Sequence, residues 1–402
     1  MRGNFIDKAR ALGSGLGRLI VAAVALALVA AAKPPAQTAS GGIDTKSDIA
    51  LLIDAATGTV LFSKNADKIF VPGSLTKMMT VAVAAQEVKD GRLSMDGEFT
   101  VSEHAWRTGG APSHTTTMFA PVNQPAKVSD LFRGVMIQSA NDGAIALAEG
   151  IAGSESGFAE LMNKRAAEWG MTSTRFGNPS GQANADNRTT ARDLLVAARR
   201  LVKDYPDVYR IYSEREFTYN KIRQLNRHPM VDPSIGGDGI VTAASKEGGA
   251  ALIGSAVQNG QRLLVAIAGA ANDKDRNEDA RKLVEWGFRS FETVRLYDAG
   301  ETIGPAMVFG GASQTVALIS PTDVDLLVPR GSRDKLKARV VYTGPVKAPI
   351  VKGRPIGRLW VTNDEKPVVD YPVEAGADVP VGSIGHRAVD GTRELLIGLL
   401  RR

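Results

Sequence analysis

Hydrophobic positions change period several times along this chain, and each change predicts a different kind of element. An uninterrupted apolar run, Leu19 to Ala32, follows a segment carrying Arg2, Lys8, Arg10 and Arg18. The run is shorter than the roughly 18 residues of a spanning helix, so residues 1–32 read as a cleaved secretory signal and 33–44 as a loose mature N-terminus. Ile49 to Asp54 and Thr59 to Lys64 are short β-like runs around Ala55-Ala56-Thr57-Gly58, a hairpin signal. Behind Ser74, the residues Met78, Met79, Val81, Ala82 and Val83 leave no polar face, which predicts a buried helix. Val128 to Gly150 is helical with a break at Ser139-Ala140-Asn141, and Ser154 to Gly170 and Thr190 to Lys203 are amphipathic helices. Ala251 to Val257 and Arg262 to Ala268 pair around Asn259-Gly260, a type I′ turn signal, and Glu278 to Phe288 is a last helix. Strands at both ends with helices between them indicate an α+β domain, an antiparallel sheet with a helical cluster, over residues 45–291.

After Glu292 the period shortens. Thr315 to Ile319, Val324 to Val328, Lys337 to Tyr342 and Arg358 to Thr362 are strand-like runs separated by Gly, Pro and Asp, which predicts a small β-sandwich domain over 292–380. The tail, 381–402, ends in an apolar cluster flanked by Arg393, Arg401 and Arg402. It suits a short amphipathic helix, either lying on a membrane surface or docked on its own domain.

Composition narrows this picture. The 402 residues are 44% hydrophobic and 23% charged, enough for two domains with a substantial core. There is no cysteine, which leaves the fold without disulfides and excludes thiolate chemistry. A net charge of +6, scattered without aromatic interleaving, argues against nucleic acid and for weak attraction to anionic lipid or wall polymer. His104, His114, His228 and His386 have no metal spacing and read as ordinary polar residues, and no cofactor or metal is expected.

The candidate chemistry sits at Ser74-Leu75-Thr76-Lys77, a hydroxyl and an amine on one helical face. A lysine neutralised by burial can take the serine proton. Taken alone, the pattern also fits an N-cap serine with a snorkelling lysine, and Ser332-Arg333-Asp334-Lys335 repeats it in what reads as a solvated turn. Arg107-Thr108-Gly109 likewise reads as a turn in a Gly/Pro-rich loop.

Several motifs then occur in order: Phe70 to Thr80 around Ser74-x-x-Lys77, Gln138-Ser139-Ala140-Asn141-Asp142, Thr190-Ala191-Arg192-Asp193-Leu194, Asp238-Gly239 and Glu285-Trp286-Gly287-Phe288. With the β domain and the tail, they make the chain resemble the D-alanyl-D-alanine carboxypeptidases, the low-molecular-mass penicillin-binding proteins. The resemblance implies a penicillin-binding-protein/β-lactamase-like transpeptidase fold and removal of the terminal D-alanine from peptidoglycan stem peptides through an acyl-enzyme. It implies β-lactams as inhibitors, and a periplasmic protein held peripherally on the outer face of the inner membrane by its tail. Carried over by residue, Ser74 is the nucleophile and Lys77 its base. Ser139 and Asn141 bridge the lysine and the substrate amide, and Thr242 and Arg276 bind substrate. The family's third motif, Lys-Thr-Gly, here reads Val241-Thr242-Ala243. Ala244 and Ala250 stand where aromatics are common, and Lys246 falls at a hairpin tip. This departure implies reduced activity, or a non-catalytic relative that binds peptidoglycan or a cell-wall partner.

Overall fold

The computed structural model describes residues 42–245, 248–363 and 366–385. The signal-like segment, Lys246 and the tail beyond Gly385 lie outside them. A five-stranded antiparallel sheet organises the first part: β1 (Ile49–Asp54), β2 (Val60–Lys64), β3 (Gly237–Ser245), β4 (Gly249–Gln258) and β5 (Gln261–Ala270), in the order β2-β1-β5-β4-β3. Both faces are covered. Leu51 and Ile53 of β1 enter the core beneath the helical cluster, while Ala50 and Leu52 face a second core with Leu283 and Val284 of the last helix. That two-sided burial is why Ile49 to Ile53 reads as an unbroken apolar run rather than an alternating one.

The helical cluster contains α1 (Thr76–Lys89), α2 (Val128–Ile137), α3 (Asn141–Ala152), α4 (Glu155–Glu168) and α5 (Ala191–Asp204). In α1, every residue from Thr76 to Ala85 is buried, as its missing polar face predicts. Ser154 and Thr190 cap α4 and α5 by accepting from Gly157 N and Asp193 N, satisfying N–H groups that the first turn leaves free. The helix α6 (Asp273–Ser290) begins earlier than the apolar spacing suggested. Asn272 caps it, and its polar first turn carries Asp273 and Asp275. Arg276 therefore belongs to the first turn of the helix rather than to the loop before it.

Other local expectations change as well. Arg107-Thr108-Gly109 is the end of a short helix, Glu103–Gly109, because Ser102 Oγ caps Ala105 N. Ser332 is in a turn, but it is buried rather than solvated, and its Oγ donates to Pro329 O over 2.6 Å. Ser74 is not an N-cap: it lies in the 3-10 turn Gly73–Leu75 that leads into α1, and makes no capping hydrogen bond.

The second part is all β. Strands β6 (Phe291–Tyr297), β7 (Thr302–Phe309), β8 (Thr315–Ile319), β9 (Val324–Pro329), β10 (Leu336–Tyr342), β11 (Val346–Lys347), β12 (Pro355–Asn363) and β13 (Lys366–Ala375) form two sheets. One is β6-β9 and the other is β10-β12-β13-β8-β7-β11, enclosing a core with Leu318, Leu326, Leu359 and Val373. Among the described residues, no helix is long and apolar enough to cross a membrane.

Candidate active site

Pro72 and Gly73, the latter at φ +53°, turn the chain into the 3-10 segment that displays Ser74 at the head of α1. One turn later Lys77 is 1% exposed, and its Nζ lies 3.1 Å from Ser74 Oγ. Burial pushes this amine down to about 7, against the opposing pull of the Asp142 carboxylate. A substantial fraction is therefore neutral near pH 7, as a base must be. Lys77 Nζ also donates to the Ser180 carbonyl over 2.7 Å, and Thr80 Oγ1 donates to Pro179 O over 2.6 Å. The Asn178-Pro179-Ser180-Gly181 turn thus grips the start of α1. The approach is so close that a Cβ on Gly181 would stand 1.9 Å from Gly73 O.

The second motif occupies the break between α2 and α3. Ser139 adopts φ +59°, and the chain around it is tied to the Thr115-Thr116 segment. Thr116 Oγ1 donates to Ser139 O over 2.7 Å, Asn141 N to Thr116 O over 2.8 Å, and Asn141 Nδ2 to Thr115 Oγ1 over 2.9 Å. Asp142 is buried beneath them and accepts from Thr117 Oγ1, Met118 N, Ala120 N and Gly143 N. Burial raises its carboxyl above the ordinary range while these donors oppose the shift. Ser139 Oγ and Asn141 Oδ1 are buried without a hydrogen-bond partner. Neither atom makes the expected bridge to the lysine, whose Nζ bonds Ser74 Oγ and the Ser180 carbonyl.

The segment Val241-Thr242-Ala243 lies on β3, an edge strand of the sheet. Its base is anchored by Arg262, which bonds Asp238 over 2.6 Å and Ser255, while Tyr209 OH donates to Asp238 over 2.7 Å. Val241 is buried at 6% exposure and joins the core under the helices, so an aliphatic side chain stands where the resemblance led us to expect an ammonium. Ala243 Cβ would lie only 3.6 Å from a Cβ on Gly73.

A cleft of about 380 Å³ brings these pieces together, lined by Ser74, Ser139, Thr242 and Arg276 among others. Lys77 stands behind it and meets it through Ser74 Oγ, and Asn141 is tied to Thr116 of its lining. Arg276 is buried and pairs with Asp273 over 2.8 Å, and burial lowers its guanidinium below the usual value. Sequence reasoning missed Asn226, Arg227 and His228, which also line the cleft. His228 Nδ1 accepts from Met230 N over 3.1 Å, which leaves the proton on the buried Nε2. Burial pushes this imidazole down to about 3, with Arg276 adding to the shift, so it is neutral at physiological pH. The Ser180 carbonyl was also missed, although Asn178-Pro179-Ser180-Gly181 is a turn signature that could have drawn attention to the loop. Among the described residues, no group of acidic and histidine side chains could hold a metal ion.

Residues 32–272 match the family model described as D-alanyl-D-alanine carboxypeptidase, and residues 291–381 that of the C-terminal domain of penicillin-binding protein 5. The chain is 36% identical over 351 residues to the D-alanyl-D-alanine carboxypeptidase DacA of Escherichia coli K12, covering 87% of each. It is 35% identical over 332 residues to DacA of Haemophilus influenzae, covering 82% of this chain and 84% of that one. Among solved structures, penicillin-binding protein 5 of Haemophilus influenzae superposes with a TM-score of 0.79 at 33% identity, over 84% of this chain and 98% of that one. A serine and a half-neutral lysine one turn apart, in a helix-and-sheet domain that leads into a matching β domain, agree with these likenesses: the chain belongs to the D-alanyl-D-alanine carboxypeptidase family.

Proposed function

We propose that this protein is a serine-type D-Ala-D-Ala carboxypeptidase acting on peptidoglycan stem peptides, with Ser74 as nucleophile and Lys77 as base. The observation that carries the reading is the 3.1 Å contact between Ser74 Oγ and a buried Lys77 Nζ held at about 7. In the acylation step the Ser74 proton passes to Lys77 Nζ as Oγ bonds to the carbonyl carbon between the two D-alanines. Backbone N–H groups, one of them that of Ser74, receive the developing oxyanion. Collapse breaks the C–N bond, and the departing D-alanine amine takes up the proton that Lys77 Nζ received from Ser74. Water then attacks the ester carbon as Lys77 Nζ takes its proton, and the Oγ–C bond breaks as Lys77 returns that proton to Ser74 Oγ, releasing the shortened peptide. Thr242 and Arg276 receive the terminal carboxylate at the far side of the cleft.

The test is to incubate purified protein with a D-Ala-D-Ala peptide and with a fluorescent penicillin, reading D-alanine release and covalent labelling together. Both should be lost in Ser74→Ala. Labelling that persists in this variant would refute the nucleophile.

Val241 and Ala243 favour a second reading, a slow or non-catalytic relative that binds peptidoglycan. A protein that retains stem peptide but neither releases D-alanine nor takes up label would establish it. The proposal places the protein in the periplasm, peripheral on the membrane through the tail beginning at Thr392. Deleting Thr392 to Arg402 should move it from the membrane fraction to the soluble one, and a truncated form that still sediments would assign the anchor elsewhere.

A further inference from the structure

Positive charge along this cleft is scarcer than its residue types suggest. Val241 is aliphatic and buried. Arg276 has a side chain only 7% exposed, and its guanidinium is already engaged: Nη1 pairs with Asp273 over 2.8 Å and Nε donates to Asn277 Oδ1 over 3.0 Å. Asp273 lines the cleft with it, so for an anion arriving from solvent these two charges largely cancel. His228 is neutral at physiological pH.

Arg227 alters that balance. It lines the same cleft and is exposed, and among the described residues neither a carboxylate nor a carbonyl takes its guanidinium. The backbone that carries it is held on both sides. Asn226 N donates to Arg215 O over 2.7 Å, and Asn226 Nδ2 donates to Tyr212 O and Glu214 O, each over 2.9 Å. His228 N donates to Asn226 Oδ1 over 3.0 Å, and His228 Nδ1 accepts from Met230 N. Both neighbours therefore spend their side chains on fixing this segment, and Arg227 does not. Two guanidiniums against one carboxylate leave the described lining with a single uncompensated charge, and it belongs to Arg227.

We propose that Arg227 is a substrate-positioning residue that donates to the terminal carboxylate of the peptide, supplying the charge that Val241 does not. The inference rests on the reading that a D-Ala-D-Ala peptide ends in this cleft. A guanidinium offers a carboxylate two parallel N–H donors and is more weakly hydrated than an ammonium, so it loses less on contact. Arg276 must share a partner that it already has, whereas Arg227 gives up no ion pair when the peptide arrives.

The experiment measures binding rather than turnover, with the full-length chain carrying Ser74→Ala. Two probes are titrated by calorimetry: an N-acetylated D-Ala-D-Ala peptide, and the same peptide with its C-terminus converted to a carboxamide. In the parent, the carboxylate form should bind about tenfold more tightly. In Arg227→Gln that ratio should fall to about one with the carboxamide peptide unaffected, while Arg227→Lys should keep part of the preference. Thermal unfolding should show both variants as stable as their parent, because Arg227 makes no internal bond that either would lose. A ratio that survives in Arg227→Gln, or that is lost only in Arg276→Gln, overturns the role of Arg227 and leaves the reading of the cleft intact. A ratio lost equally in Arg227→Lys, with both midpoints lowered, assigns Arg227 a structural role and overturns the proposal as well. Failure of either peptide to saturate the parent overturns it together with the reading of the cleft.

Discussion

Replacing Lys77 by Met should abolish labelling of Ser74 and yet stabilise the protein at neutral pH. The amine is 1% exposed and titrates at about 7 instead of 10.5. Folding at pH 7 therefore works against about 4 kcal/mol of lost proton affinity. Methionine is close in size and apolar, so it removes this term. It also leaves the Ser180 carbonyl without its donor, which returns about 1–3 kcal/mol. The net gain at pH 7 is then about 1–3 kcal/mol. Between about pH 7 and 10.5 the unfolded chain keeps a proton that the folded one has released, so wild-type stability rises with pH across this window. The advantage of the variant should shrink by about 3–4 kcal/mol on going from pH 7 to pH 10, a change that cancels every group the two proteins share. Urea unfolding of both proteins at the two pH values, followed by circular dichroism, measures it. If Lys77→Met is less stable than wild type at pH 7, and the difference does not move by pH 10, the lysine is hydrated in the fold and the argument for a neutral base collapses.

Three further outcomes follow from the same geometry. The second-order rate of penicillin acylation should rise about tenfold from pH 6 to pH 8 as Lys77 loses its proton, and stopped-flow fluorescence showing a flat or falling profile would assign the base elsewhere. Gly181→Ala, which sets a methyl 1.9 Å from Gly73 O, should destabilise the fold by more than about 3 kcal/mol and disturb Ser74, seen as a lowered urea midpoint together with lost labelling. The double change Val241→Lys and Ala243→Gly should speed acylation roughly 30- to 1000-fold, because a charged donor at the cleft contributes about 2–4 kcal/mol to developing negative charge. A folded but unimproved double variant would show that the cleft wall differs beyond these two positions.

Much of this protein was legible along the chain because local physics settles it. The apolar residues behind Ser74 have no polar face to offer water, so α1 had to be buried and Lys77 with it. Asn259-Gly260 sits between two apolar runs, and both residues take the positive φ that a type I′ turn demands. The break at Ser139-Ala140-Asn141 divides α2 from α3 as read, and β3 carries Val241-Thr242-Ala243 on the free edge of the sheet.

What the chain could not disclose depends on segments far apart in sequence. Ser180 holds Lys77 through a backbone carbonyl, a group that every residue possesses and that no side-chain motif can mark. Asp142 reads only as the residue after a motif. Folding makes it the centre that orients Thr117 to Ala120 and raises the affinity of Lys77 for its proton. His228 looked like an isolated polar residue until the edge strand and Arg276 closed around it. Residue types and short-range periods determined which groups this protein possesses. The tertiary structure decided which of them lose their water and which are left without partners, because desolvation depends on what packs around a group rather than on its neighbours in sequence.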